Sequence, residues 1–413
     1  MFKLRDYQVD IIKKGTEILN EKRFLYLAME VRCGKTLTSL GIAGCNKSIE
    51  KVLFLTKKKA ISSIEHDYKL LNPSYNLKVI NYESIHKIEP KNWDLIILDE
   101  AHSMGAFPKP SKRAKQVKEL LGKCKPFVIL LSGTPTPESF SQMYHQVYGI
   151  KGNPFQNYTS FYKFAHEFVD VKMQFINGFQ IKNYKEGKES IIDLMQPYTI
   201  NFTQKQSGFE SSIEEEIIEV KMKPETYQLC NRLKKDLVVQ GENEVILADT
   251  GVKLMGKLHQ LYSGTVKFES GNSMIVDFSK AEWIRDNFKN KKIGIFYKFT
   301  AELKALQEIL GDDLTTDLTE FNNTDKKIAL QIVSGREGIS LRNAEFIVFY
   351  NIDFSATSYW QARDRMTTKE RKFNKVFWLF SKKGIEKSIY KAVSKKKNFT
   401  LKHFKNDRTT DTI

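Results

Sequence analysis

Only four cysteines occur in the 413 residues, Cys33, Cys45, Cys124 and Cys230, and none sits in the close pairs used by zinc sites and disulfide frameworks. Reduced thiols and no cysteine-bound metal are therefore expected. The sequence also lacks any apolar run of about 18 residues, the length a membrane-spanning helix needs. Its opening, MFKLRDYQVD, is too polar for a secretion signal, and a cytoplasmic location is the expectation. Neither a low-complexity segment nor a short-period repeat is present. Acidic residues are in deficit: 49 Asp and Glu stand against 66 Lys and Arg, a formal net charge of +17. That excess suggests a polyanionic partner, although surface lysines also serve simply to solvate a fold.

What the chain does contain is enough apolar material for large cores. Hydrophobic residues make up 41% and charged residues 28%, and the length suits two or three domains of roughly 100–200 residues each. Short apolar runs read as buried parallel strands at 51–56 (KVLFLT), 77–82 (LKVINY), 94–100 (DLIILDE) and 127–133 (FVILLSG). Polar, lysine-rich stretches of helical length separate them, the alternation of a doubly wound α/β domain. A second set follows at 291–297, 327–334, 345–351 and 375–380. The expected fold class is thus α/β, two parallel-sheet blocks at 1–150 and 279–395. Residues 151–278 between them are read as a mainly helical insertion, and 396–413 as a basic, polar tail with a frayed end.

Chemistry concentrates at three strand ends. In RCGKT, residues 32–36, the triplet Gly34, Lys35 and Thr36 follows an apolar strand and opens a helical pattern. Backbone N–H groups at such a helix start hold a β-phosphate, a lysine reaches the β- and γ-phosphates, and a Thr hydroxyl ligates Mg²⁺. A lone GKT triplet is weak, but LIILDEAH adds Asp99 and Glu100 at the end of another apolar strand. One carboxylate there can hold the Mg²⁺ shell while the other polarises an attacking water. The next strand ends in LLSGTPTPE, a hydroxyl- and glycine-rich turn.

Phosphate loop, DEAH and SGTP in this order resemble superfamily 2 helicases and translocases, and the flanking segments resemble the Swi/Snf-like branch. Motif segments span most of residues 4–370. The resemblance implies two RecA-like lobes, ATP and Mg²⁺ as cofactors, and sequence-independent binding of duplex or branched DNA by a monomer. LRDYQ resembles the adenine-reading segment and implies Gln8 as an adenine contact. Arg32 and Cys33 would line the phosphate loop, and Arg32 reads equally as a phosphate contact or a solvated side chain. Met29 stands where many phosphate loops open with glycine, a replacement frequent in superfamily 2. The segment VLFLTKKKAISSIEHDY resembles a DNA-backbone motif and implies Lys57 and Lys58, followed by Lys59, as phosphate contacts. Ser132 and Thr134 would also face nucleic acid.

In the second block, SGREGISLRNAEFIVFYNIDFSATSYWQARDRM resembles the family's last two motifs. Ser334 and Arg336 would touch DNA, Gly335, Glu337 and Gly338 would shape a loop, and Gln361 and Arg365 would face ATP. One position departs from the family: Thr368 stands where a second arginine usually acts as the finger toward the γ-phosphate. An arginine finger is worth about 10³–10⁵ in rate. The resemblance therefore implies a DNA-stimulated ATPase, compact and viral- or phage-like, serving replication, recombination or repair. An RNA helicase and an ATP-binding DNA clamp with little turnover are the alternatives. Phe155, Tyr158, Phe161 and Tyr162 read as core before they read as base-stacking platforms.

Overall fold

The computed structural model describes residues 3–90, 92–176, 179–208, 212–241, 244–332, 340–355, 362–363, 366 and 373–394. The chain divides into two compact units, whose main spans are Met1–Gly208 and Phe209–Lys397.

In the first unit the chain runs α1 (Asp6–Lys22), β1 (Phe24–Met29), α2 (Lys35–Cys45), β2 (Lys51–Thr56), α3 (Ile61–Leu71), β3 (Asn76–Asn81), β4 (Leu95–Leu98), α4 (Lys112–Cys124) and β5 (Phe127–Leu131). It continues through α5 (Met143–Gln146), α6 (Phe161–Phe168), β6 (Val169–Ile176), β7 (Phe179–Gly187), α7 (Ser190–Met195) and β8 (Thr199–Phe202). Six strands form one parallel sheet in the order β3-β2-β4-β5-β1-β8. Both faces of its central strands are covered, so β1 and β4 are buried at every residue and read as unbroken apolar runs. Alternate residues enter opposite core layers: Phe24, Tyr26, Leu53, Leu55, Ile96 and Leu98 on one face, Leu25, Leu27, Val52, Phe54, Leu95 and Ile97 on the other.

The second unit begins with β9 (Ser212–Val220), α8 (Pro224–Asp236), the hairpin β10 (Val238–Gln240) and β11 (Val245–Leu247), α9 (Gly251–Tyr262), and the hairpin β12 (Thr265–Lys267) and β13 (Ser273–Ile275). After these come α10 (Ser279–Asn287), β14 (Ile293–Tyr297), α11 (Thr300–Leu310), β15 (Leu314–Thr315), α12 (Leu318–Asn323), β16 (Lys327–Gln331), β17 (Phe346–Phe349) and β18 (Phe373–Ser381). Its parallel sheet has the order β15-β16-β14-β17-β18-β9. Phe349 and Trp378 stack across β17 and β18, centroids 3.9 Å apart and planes 9° from parallel.

Two parallel-sheet blocks thus stand where the apolar runs placed them. The middle segment differs from the mainly helical insertion expected: besides α6 to α9 its described residues hold the antiparallel hairpins β6–β7, β10–β11 and β12–β13 and one edge strand for each sheet, β8 and β9. β9 hides in SSIEEEIIEV because its many acids obscure the strand, yet nine residues pair in register with β18. Lys375 Nζ lies 3.4 and 2.7 Å from the carboxylates of Glu214 and Glu216, and Arg363 donates to Glu215 at 2.7 Å. Phe155 and Phe161 are core, with Tyr158 packed beside them, whereas Tyr162 is exposed. No described helix is long and apolar enough to cross a membrane.

Candidate nucleotide-binding site

The strand order places β1 beside β5 and β5 beside β4, so the loops after these strands leave neighbouring strand ends. Carboxyl ends of parallel strands are where open α/β sheets collect ligands. The GKT loop follows β1, the Asp99–Glu100 pair follows β4 and the SGTP turn follows β5, and the sheet gathers all three.

The loop between β1 and α2 turns through two left-handed residues, Arg32 at φ 66° and Gly34 at φ 77°. Gly34 is required for a second reason: a Cβ there would lie 2.5 Å from Gln8 Nε2. Gln8 is 3% exposed. It donates from Nε2 to Gly34 O at 3.3 Å and to Thr38 Oγ1 at 3.4 Å, and its Oε1 accepts the Arg5 N–H at 3.1 Å. Tyr7 donates to Cys33 O at 3.3 Å and stacks on Phe202, centroids 4.7 Å apart. The buried Gln8 amide, the expected adenine contact, thus also holds the loop through its partners on α1 and α2.

The loop is also closed from a side the sequence did not announce. Glu30 N–H donates to Phe202 O at 2.9 Å, Gln204 N–H to a Glu30 carboxylate oxygen at 2.7 Å, and Gln204 Nε2 to Val31 O at 3.0 Å. Cys33 is buried with its thiol 3.7 Å from Ser207 Oγ, and burial pushes that thiol up to about 11. The segment after β8 is plain polar sequence, with no motif to flag it. Lys35, first residue of α2, donates to Met29 O at 2.8 Å and Glu30 O at 3.2 Å. Thr36, next in the helix, is half-buried. A helix start leaves its first N–H groups without intrahelical partners and carries partial positive charge, the physical basis of phosphate binding there.

At the end of β4, Asp99 accepts from Thr56 Oγ1 at 2.8 Å and from the Glu100 N–H at 3.0 Å, and Tyr82 donates to its carbonyl at 2.6 Å. Burial first, and the adjacent Glu100 charge second, hold the Asp99 carboxyl above the usual carboxylate range; Thr56 and Lys35 pull the other way. Two acids forced together next to a lysine are poised for a divalent cation. Among the described residues no group of three or more His, Cys, Asp and Glu forms a metal cage. One or two carboxylates with substrate phosphates is the arrangement Mg²⁺ uses, so the residues fit Mg²⁺ carried with a nucleotide.

Glu100 takes a left-handed φ of 50°, which turns the chain toward the SGTP loop. His102 Nδ1 lies 3.2 Å from Glu100 Oε2 and 3.0 Å from Ser132 Oγ, which accepts the Thr134 N–H at 3.1 Å. Ser132 is fully buried. It is thus an internal link between two loops, which corrects its expected place on a nucleic-acid surface. Thr134 is half-buried, with its hydroxyl oxygen buried and unpartnered. Gln146 ties the turn down by donating to Pro135 O at 2.7 Å while accepting from Tyr26 at 2.7 Å. Lys57 is half-buried and Lys58 exposed, just past β2. Ser334, Gly335, Arg336, Glu337, Gly338, Gln361, Arg365 and Thr368 lie outside the described residues.

A family model described as the SNF2-related domain matches residues 35–270, more than half of the chain. No curated protein matches. Among solved structures, the Sulfolobus solfataricus SWI2/SNF2 ATPase core in complex with dsDNA is 17% identical, with 97% of this chain and 92% of that chain covered at a TM-score of 0.43. The Sulfolobus solfataricus SWI2/SNF2 ATPase core domain is 18% identical, with 97% and 90% covered at 0.42.

Proposed function

The chain belongs to the SNF2-related domain family, and from that premise we propose that it is an ATP-dependent translocase whose ATP hydrolysis is stimulated by duplex or branched DNA. The observation that carries this reading is the line of contacts Glu100–His102–Ser132, in which the single ring nitrogen His102 Nδ1 lies 3.2 Å from the carboxylate and 3.0 Å from the hydroxyl and so brings a carboxylate beside the phosphate loop together with the neighbouring strand's loop. Such a line makes the acid responsive to whatever moves the loop. In this reading Lys35 leaves the carbonyls of Met29 and Glu30 for the β- and γ-phosphates, and the α2 N–H groups orient the phosphate chain. Glu100 accepts the proton of the attacking water. Thr36 and Asp99 would hold Mg²⁺, which, when bound, neutralises charge developing on the phosphates. Gln8 and Tyr7 keep the loop in its left-handed turn.

The +17 charge supports a polyanionic partner, and Lys57, Lys58, Ser334 and Arg336 are the proposed phosphate contacts. Contacts of that kind carry little sequence information, which suits movement along any DNA during replication, recombination or repair by a monomer in the cytoplasm. Gln361 and Arg365 are proposed to act on ATP. A second reading, a nucleotide-dependent clamp with slow turnover, draws its support from Thr368 in the finger position.

The test is steady-state ATP hydrolysis with duplex DNA, single-stranded DNA, RNA and no nucleic acid, wild type beside Lys35→Ala. Strong duplex stimulation that vanishes in the variant is the expected result. Stimulation by RNA alone overturns the DNA reading, and ATP binding without turnover on any nucleic acid favours the clamp.

A further inference from the structure

The β6–β7 hairpin has a fixed foot and exposed outer residues. At the foot Val169 is buried, the Tyr184 carbonyl accepts from Ser141 Oγ at 2.7 Å, and the Tyr184 ring packs edge-on against Phe161. Gly187 approaches so closely that a Cβ would sit 2.6 Å from Ser141 N. Farther out, residues 171–175 and 179–182 are all exposed. Phe175 is 77% and Phe179 74% exposed, the two most exposed aromatic side chains among the described large hydrophobics.

Register decides how these rings are presented. Phe175 pairs with Gln180 and Met173 with Lys182, while Gln174 pairs with Ile181. Paired residues share a face of the ribbon and neighbours alternate. Phe175 and Met173 therefore lie on one face, Phe179 and Ile181 on the other. A partner strand added to an edge would leave both rings in water, and a flat protein surface would cover one. Residues 169–188 carry four lysines and two acids. Both acids are paired near the foot, Asp170 with Lys188 and Glu186 with Lys172. The excess charge is thus positive, through Lys182 and Lys185.

Resting on the proposed DNA-translocase reading, we propose that the hairpin tip enters a duplex junction and stacks Phe175 and Phe179 on nucleobases, one ring against the terminal pair and the other against a displaced base. Aromatic rings stack on bases of any sequence, and flanking lysines suit the phosphates on either side. A junction is favoured over continuous duplex because its end bases are already unstacked, whereas wedging a closed step costs unstacking energy.

The experiment measures binding, without nucleotide, of forked and continuous duplex DNA carrying 2-aminopurine at the junction or its equivalent. The proteins are wild type, the Phe175→Ala/Phe179→Ala double variant and Phe179→Trp. Expected for the double variant are fork affinity weaker by about tenfold or more, loss of the 2-aminopurine response, and unchanged duplex affinity, duplex-stimulated ATPase and melting temperature. Phe179→Trp should keep both fork affinity and response. Equal fork affinity and response in wild type and double variant overturn the inference while leaving the translocase reading intact. Tip-dependent self-association without a fork preference overturns it too, by assigning the rings to a second copy of the chain. Absence of any DNA binding by wild type overturns both readings.

Discussion

His102 and Ser132, thirty residues apart, meet at 3.0 Å between Nδ1 and Oγ. Each follows the carboxyl end of a different strand, β4 and β5, which are hydrogen-bonded neighbours. Since the same imidazole nitrogen lies 3.2 Å from Glu100, the SGTP turn and the acid beside it meet at one ring atom.

Ser132→Ala removes that meeting without changing backbone or volume much. Loss of one hydrogen bond inside a buried set is worth roughly 1 kcal/mol. Duplex-stimulated kcat should fall about five- to tenfold while ATP affinity stays level. A variant with unchanged stimulation would show that the two loops act independently.

Glu100→Gln keeps the shape but removes the proton acceptor. ATP should bind and remain, with turnover reduced by about 10²-fold or more. Filter-binding of labelled ATP beside steady-state hydrolysis checks it, and rapid turnover would take Glu100 out of its role.

Gly34→Ala forces a Cβ into a left-handed turn, about 1–2 kcal/mol of strain, and against Gln8 Nε2. The melting temperature should drop. Gln8→Ala also destabilises, through loss of the loop clamp, yet the double variant should be more stable than the sum of the two, because the clash disappears with the amide. Additive melting shifts would show that α1 does not press on the loop.

In the second unit His259 is buried, its Nε2 2.6 Å from Asn351 Oδ1, and Asn351 Nδ2 donates to Glu302 at 2.6 Å. Burial, reinforced by the charge of Lys298, lowers His259 to about 3 from 6.5. A histidine whose folded value is depressed contributes stability that is complete above about pH 6.5 and drains away as pH falls toward 3. Glu302, raised by burial, has the opposite sign: protonation favours its folded state. The chain should therefore lose a few kcal/mol through His259 between pH 6.5 and 3, and His259→Phe should flatten the acid side of the melting-temperature profile. A variant profile parallel to wild type would mean that the imidazole charges without cost.

The strands that carry the proposed site were readable because parallel strands buried on both faces must be unbroken apolar runs, as KVLFLT and LIIL are. Gly34, Lys35, Asp99 and Glu100 stand out in the sequence because the chemistry proposed for them demands specific types at strand ends. The clamp was not. Gln8 looked like a ligand contact, and only three-dimensional proximity shows its amide bound to Gly34 O. Gln204 and Ser207 belong to a polar stretch that gains meaning only when β8 pairs with β1. β9 was hidden because glutamates on a strand are satisfied by partners about 150 residues away, Arg363 and Lys375, which no local pattern reveals.

That acidic strand also has a consequence for what the second sheet will tolerate at its border. β9 is the terminal strand, and Glu214, Glu216 and Glu219 stud it with carboxylates. Among the described residues β9 pairs on one side only, and a foreign strand approaching it meets ion pairs, Glu214 and Glu216 with Lys375 and Glu219 with Lys387, where it would need apolar contact, which makes this border a poor seed for aggregation.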